Sequence, residues 1–237
     1  MLAGALLALL ALAPARAEAV PAGTVDAVVD PLAALLPARP VAPARPSAAS
    51  CLLDREPRRT CRAPRAALHP VPGRSPQAGR GRLLRYQVRV EGGLAVERRD
   101  VAEEVERILA DPRGWIGSGR IAFRRVAAGP ADFRVVLARP ATVDRLCRPL
   151  LTRGSLSCAT GAQAVLNVRR WRHGAPAFAG DLELYRRYLV NHEVGHLLGH
   201  GHRPCHRAGA PAPVMMQQTK GVGRCRANGR PLAWERG

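Results

Sequence analysis

The sequence predicts an α/β domain over residues 83–230, because strand-like and helix-like segments alternate there. Residues 85–91 read Arg-Tyr-Gln-Val-Arg-Val-Glu, apolar and polar in turn, as in a strand with one buried face. Val101, Val105, Ile108 and Leu109 fall on one face of a helix. A longer helical stretch, residues 181–198, follows three more strand-like segments.

From the amino terminus, residues 2–13 are apolar throughout, and Ala15-Arg16-Ala17 has the A-x-A form of a cleavage site. Residues 1–17 are therefore expected to be a signal peptide, although no Lys or Arg precedes the apolar run. That run falls short of the roughly 20 residues that cross a bilayer as a helix. Residues 18–82 are rich in Pro, Ala, Arg and Ser. With few groups to bury and repeated helix breakers, they are expected to be a linker or pro-segment, with a short helix at 24–36 interrupted at Pro31.

The strand at 85–91 ends in the turn Gly92-Gly93. Asp100 stands three residues before Glu103, which predicts a helix capped at Asp100 and stopped at Asp111-Pro112. Residues 121–126 and 133–137 read as strands around the turn Ala128-Gly129-Pro130, and residues 164–170 as a fourth strand between Gly161 and Gly174. Asp181 is a suitable N-cap for the last helix, which runs through Tyr185 and Tyr188 to Leu198. Gly195 costs that helix about 1 kcal/mol relative to Ala, which predicts a close approach of neighbouring backbone. Residues 231–237 are expected to be a C-terminal tail.

The end of this helix carries His192-Glu193-Val194-Gly195-His196-Leu197-Leu198-Gly199-His200-Gly201-His202, the pattern HExxHxxGxxH. Five of the seven histidines lie between residues 192 and 206, which makes a chance pair at helical spacing a poor explanation. Residues four apart share a helix face, so His192 and His196 can direct their imidazoles at one point, with Glu193 beside it. A catalytic zinc, bound by nitrogens at about 2.0–2.1 Å, takes a third protein ligand and leaves a fourth position to water. Beyond His196 the one carboxylate is Glu235, close to the C-terminus, so the third ligand is sought among His200, His202 and His206. A helix continued to residue 200 would separate His192 from His200 by about 12 Å along its axis, which disfavours His200. Gly199 can instead end the helix in the left-handed conformation and let His202 turn back.

These residues resemble the metzincin clan of metalloendopeptidases, in which HExxHxxGxxH is followed by a methionine-containing turn beneath the zinc. Ala212-Pro213-Val214-Met215-Met216 matches that second part. Within the clan the chain looks most like a family of predicted secreted bacterial proteins with NHEVGHxLGH and PVM segments in a domain of unknown function. That likeness covers about residues 84–228. It implies a mixed twisted sheet of four or five strands with the zinc helix beneath it. It also implies Zn²⁺ held by His192, His196 and His202, Gly199 as the helix-ending glycine and Met215 as the turn methionine. Glu193 would serve as general base and then acid while a zinc-activated water hydrolyses a peptide bond. Residues 164–170, the strand before the helix, would be the sheet edge along which an extended protein or peptide substrate lies. Two features depart from the clan. Where several metzincins have a tyrosine that assists the oxyanion, this chain has Gln217-Gln218-Thr219. The 21 residues after Met216 include Gly221, Gly223, Gly229 and Pro231, so the helix that usually follows the turn is expected to be short or missing.

Six cysteines without a CxxC spacing suit disulfides in an oxidising compartment, paired by proximity as Cys51–Cys61, Cys147–Cys158 and Cys205–Cys225. The last loop encloses Met215. The net charge is +19, but 36 of the 37 basic residues are arginines scattered along the chain, with Lys220 the single lysine. With three Trp, three Tyr and three Phe and no basic run among them, a specific nucleic-acid partner is not expected. Attraction to an anionic cell envelope or an acidic substrate fits the charge better. The sequence thus reads as a secreted zinc metalloendopeptidase. The alternatives are a non-catalytic zinc-containing envelope-binding protein and a cell-wall amide hydrolase. Glu193 speaks against the first alternative, since a structural site needs no base.

Overall fold

A computed structural model describes residues 67–237; the expected signal peptide, the helix at 24–36 and the Cys51–Cys61 pair lie outside the described residues. The strands are β1 (Leu68–Pro70), β2 (Ala78–Gly79), β3 (Arg82–Glu91), β4 (Ile121–Arg125), β5 (Phe133–Ala138), β6 (Cys158–Thr160) and β7 (Gln163–Asn167). The helices are α1 (Arg98–Leu109), α2 (Pro140–Leu146), α3 (Val168–His173) and α4 (Leu182–Leu197). All seven strands join one mixed, twisted sheet in the order β2-β4-β3-β5-β7-β6, with β1 on one end of β3. The inner strands β4, β3, β5 and β7 run parallel, while β1, β2 and β6 are antiparallel to their neighbours.

The α/β expectation holds, and the sheet exceeds the four or five strands foreseen. The additional strands β1, β2 and β6 are two or three residues long, too short to show a period of two. Two of them lie within residues 68–82, where composition reads as linker. Their pairing rests on backbone groups, such as Val71 N–H to Val88 carbonyl at 2.9 Å, and leaves most of β1 exposed.

Alternation along β5 explains how both faces of the sheet are covered. Val135 and Leu137 join the main core with Val105 of α1 and Leu189 of α4. Val136 and Ala138 face the other way, into a smaller cluster with Val143 and Cys147 at α2.

Three local expectations need correction. Helix α1 starts at Arg98, with Glu97 as an N-cap that makes no side-chain bond; Asp100 lies in the first turn, where its charge suits the positive helix end. The strand expected at 164–170 stops at Asn167, whose side chain accepts the Arg169 N–H at 3.0 Å and starts α3. Nor is this strand the sheet edge. The chain turns at Gly161 (φ 52°) and β6 pairs antiparallel outside β7, held by the Cys147–Cys158 disulfide. Among the described residues, no helix is long and apolar enough to cross a membrane.

Candidate metal centre

Helix α4 begins as its sequence dictates, with Asp181 Oδ1 accepting the Leu184 N–H at 2.8 Å. Every residue from Tyr188 to Gly195 is buried, so the helix runs through the interior and places His192 and Glu193 inside the domain. Its end is a complete Schellman turn: Gly199 N–H donates to the His196 carbonyl and His200 N–H to the Gly195 carbonyl, both at 3.0 Å. Gly199 has φ 94°, the left-handed backbone that a side chain disfavours. The chain therefore reverses there and returns His202 to the helix.

The ring nitrogens of His192, His196 and His202 come within 4.8 Å of one another. His196 Nε2 and His202 Nε2 are 3.2 Å apart. Two nitrogens bound to one tetrahedral ion are separated by about 3.3 Å, so the spacing fits a shared metal. The other ring nitrogens fix the tautomers. His192 Nδ1–H donates to the Val214 carbonyl at 2.8 Å, and His196 Nδ1–H to the His200 carbonyl at 2.9 Å. Nε2 of each is left as an acceptor, the form a metal requires. Burial lowers the proton affinity of all three imidazoles and brings His192 down to about 3, which keeps them neutral.

Glu193 is 4 % exposed, and burial pushes its carboxyl up to about 8 with no opposing hydrogen bond or cation from the described residues. The other histidines are turned away from the cluster. His200 stacks on Trp115 at 4.5 Å and lines a separate cavity, while His206 meets the edge of Trp234.

Met215 is buried beneath this cluster, in a loop without regular secondary structure. A Cβ added to Gly195 would collide with Met215 Sδ and approach Trp115 Cζ2 to 2.7 Å. The close approach predicted at Gly195 is thus made by two side chains rather than by backbone. Tyr188 OH donates to the Met216 carbonyl at 3.1 Å, and the Cys205–Cys225 disulfide closes the loop around Met215.

The profile of the family described as Protein of unknown function (DUF3152) matches residues 58–228. The chain belongs to this family. No curated protein and no solved structure matches it.

In this DUF3152 member the three histidines and Glu193 line a cavity of about 400 Å³. Its lining also includes Ala159 of β6, Leu150, Leu151 and Leu156 from the preceding loop, and Thr219 and Lys220 beyond the methionines. The 150–156 loop is pinned, with Asp144 accepting from Thr152 Oγ1 and from Gly154 N–H (2.8 Å), and Arg170 donating to Ser155 (2.7 Å). Even so, Leu150 and Leu151 remain 54 % and 76 % exposed at the cavity mouth.

Several supporting residues of the DUF3152 site carry no motif. Gln218, fully buried, donates to the Pro213 and Asn228 carbonyls at 3.0 and 2.8 Å. Asn191 donates to the Gly229 carbonyl at 2.9 Å. Glu235 accepts the N–H groups of Val214 and Met215 at 2.9 and 3.0 Å. None had a signal in the sequence for this role; Glu235 stood out there only as a solitary carboxylate in an arginine-rich tail. That segment is built into the domain as a short 3₁₀ helix, Ala233–Arg236, and beyond the methionines the described residues form no α-helix, only 3₁₀ turns and an isolated bridge of Arg226 to Pro211.

Proposed function

We propose that this DUF3152 chain is a secreted, metzincin-like zinc metalloendopeptidase with His192, His196 and His202 as ligands and Glu193 as general base. The observation that carries the reading is Glu193. It is a buried carboxylate without a hydrogen-bond or ion-pair partner among the described residues, beside three converging imidazoles, in the wall of an open cavity. A centre that only stabilises the fold would close around its ion and gain nothing from such a group.

Three neutral imidazoles suit Zn²⁺. When bound, the ion would polarise a water and the substrate carbonyl. Glu193 would take the proton of the attacking water onto a carboxylate oxygen and pass it to the departing amine. Burial raises the basicity of that carboxylate, and a neighbouring cation moderates the effect. His192 and His196 would keep their orientation through the Val214 and His200 carbonyls. An extended peptide would lie along β6, the terminal strand, and rest apolar side chains on Leu150 and Leu151. Secretion is supported by two disulfides among the described residues and by the pattern at residues 1–17.

The test compares the purified chain with Glu193→Gln, His202→Ala and His200→Ala. Elemental analysis should give one zinc per chain, lost with His202→Ala and kept in the other two variants. Digestion of a peptide library should fall at least about 100-fold in Glu193→Gln with its zinc retained. Zinc without cleavage by the unmodified chain would remove the peptidase assignment, and retention of zinc by His202→Ala would remove the ligand set.

A further inference from the structure

We infer that Glu235 is a positioning residue of the metal centre, acting on His192 through the single peptide group between Val214 and Met215. The inference rests on the reading that His192, His196 and His202 hold a metal ion. Glu235 is 5 % exposed and makes no ion pair with Arg, Lys or His among the described residues. Its charge is met by three backbone amides: Oε1 accepts from Met215 N–H at 3.0 Å, and Oε2 from Val214 N–H at 2.9 Å and Leu232 N–H at 2.8 Å. Bonds to an ionised acceptor are about twice as strong as neutral ones, and two of these three grip the methionine loop.

The Met215 N–H and the Val214 carbonyl are opposite ends of one planar peptide unit. Glu235 holds one end of that plane, and His192 Nδ1–H donates to the other end at 2.8 Å. Rotation of the plane would break both bonds together, so fixing it fixes the His192 ring. Hydrogen bonds in series also polarise one another, and the carboxylate makes the Val214 carbonyl a stronger acceptor. His192 Nε2 then becomes a better donor to a metal, as when a carboxylate binds a ligating histidine directly. Here a peptide group is interposed, and the carboxylate comes from the last turn of the chain.

Glu235→Gln tests this. The amide has one oxygen in place of two, and its NH₂ group must face a backbone N–H. Zinc affinity is measured by competition with a chelator, and the visible absorption of the Co²⁺-loaded chain reports the ligand geometry. Glu235→Gln should bind zinc at least about tenfold more weakly, the effect usual for residues supporting a metal ligand, with altered cobalt bands. Asp111→Asn is the control, because it loosens the same C-terminal segment at Arg230, away from the loop. It should leave both readouts unchanged. Should the glutamine chain fail to fold, Glu235→Asp, whose carboxylate is retracted by one methylene, is read in the same way. Unaltered affinity and spectrum in a folded Glu235 variant would overturn the inference and leave the metal reading standing. An equal loss in Asp111→Asn would also overturn it, by showing a general loosening. Failure of the unmodified chain to bind zinc or cobalt would remove both.

Discussion

At Gly195, helix propensity and packing pull in opposite directions. Alanine would favour an isolated helix by about 1 kcal/mol. Here its methyl group would meet Met215, which can shift, and the Trp115 ring, which cannot shift cheaply. The indole is held by its N–H to the Asn191 carbonyl at 3.0 Å and by the stack on His200. Gly195→Ala should therefore lower stability by about 1–2 kcal/mol in urea denaturation, since overpacking outweighs propensity; a stabilised variant would show that the contact relaxes freely. The residues that could hold a metal were legible because a shared ion constrains spacing: His192 and His196 one turn apart, a glycine to end the helix, and His202 within reach. The residues that support them were not. Asn191, Gln218 and Glu235 act through backbone carbonyls and amides of distant segments, and a bond to backbone demands nothing of the partner's side chain.

Between elements, the clearest tie is Asp111, which follows α1 and accepts from Arg113 and, at 2.7 Å, from Arg230 in the C-terminal segment. Partial burial opposes ionisation, but it is outweighed by the backbone and side-chain bonds from Arg113 and Arg230, which hold the carboxyl down at about 2. A lowered native value contributes stability above the ordinary carboxylate pKa near 4 and loses it as pH falls towards 2. Denaturation midpoints should fall between pH 4.5 and 2.5, and fall less in Asp111→Asn; identical slopes in the two chains would deny Asp111 this role. The long elements were legible and the short ones were not. β3 and α4 carry enough residues for a period and a cap to show, whereas β6 takes its place from a disulfide and a glycine turn. Missing β6 cost the edge assignment, because only the tertiary pairing shows that β7 is covered.

For the whole molecule, the centre lies where α4, the methionine loop and the C-terminal turn converge, so metal binding and stability should be coupled. Zinc at 100 times its dissociation constant would add about 2.7 kcal/mol, and its removal by a chelator should lower Tm by roughly 5–10 °C in calorimetry. An unchanged Tm would mean that the folded chain holds no ion at this site. The cavity these segments enclose has Lys220 on its rim, exposed and bonded only to Gln217 at 3.2 Å among the described residues. As the chain has no second lysine, an amine-directed fluorophore has just this side chain and the amino terminus to react with. Arginine-rich composition thus leaves the protein with a native attachment point for a reporter at the mouth of its own cavity, where the arrival of a ligand can be followed without introducing a cysteine.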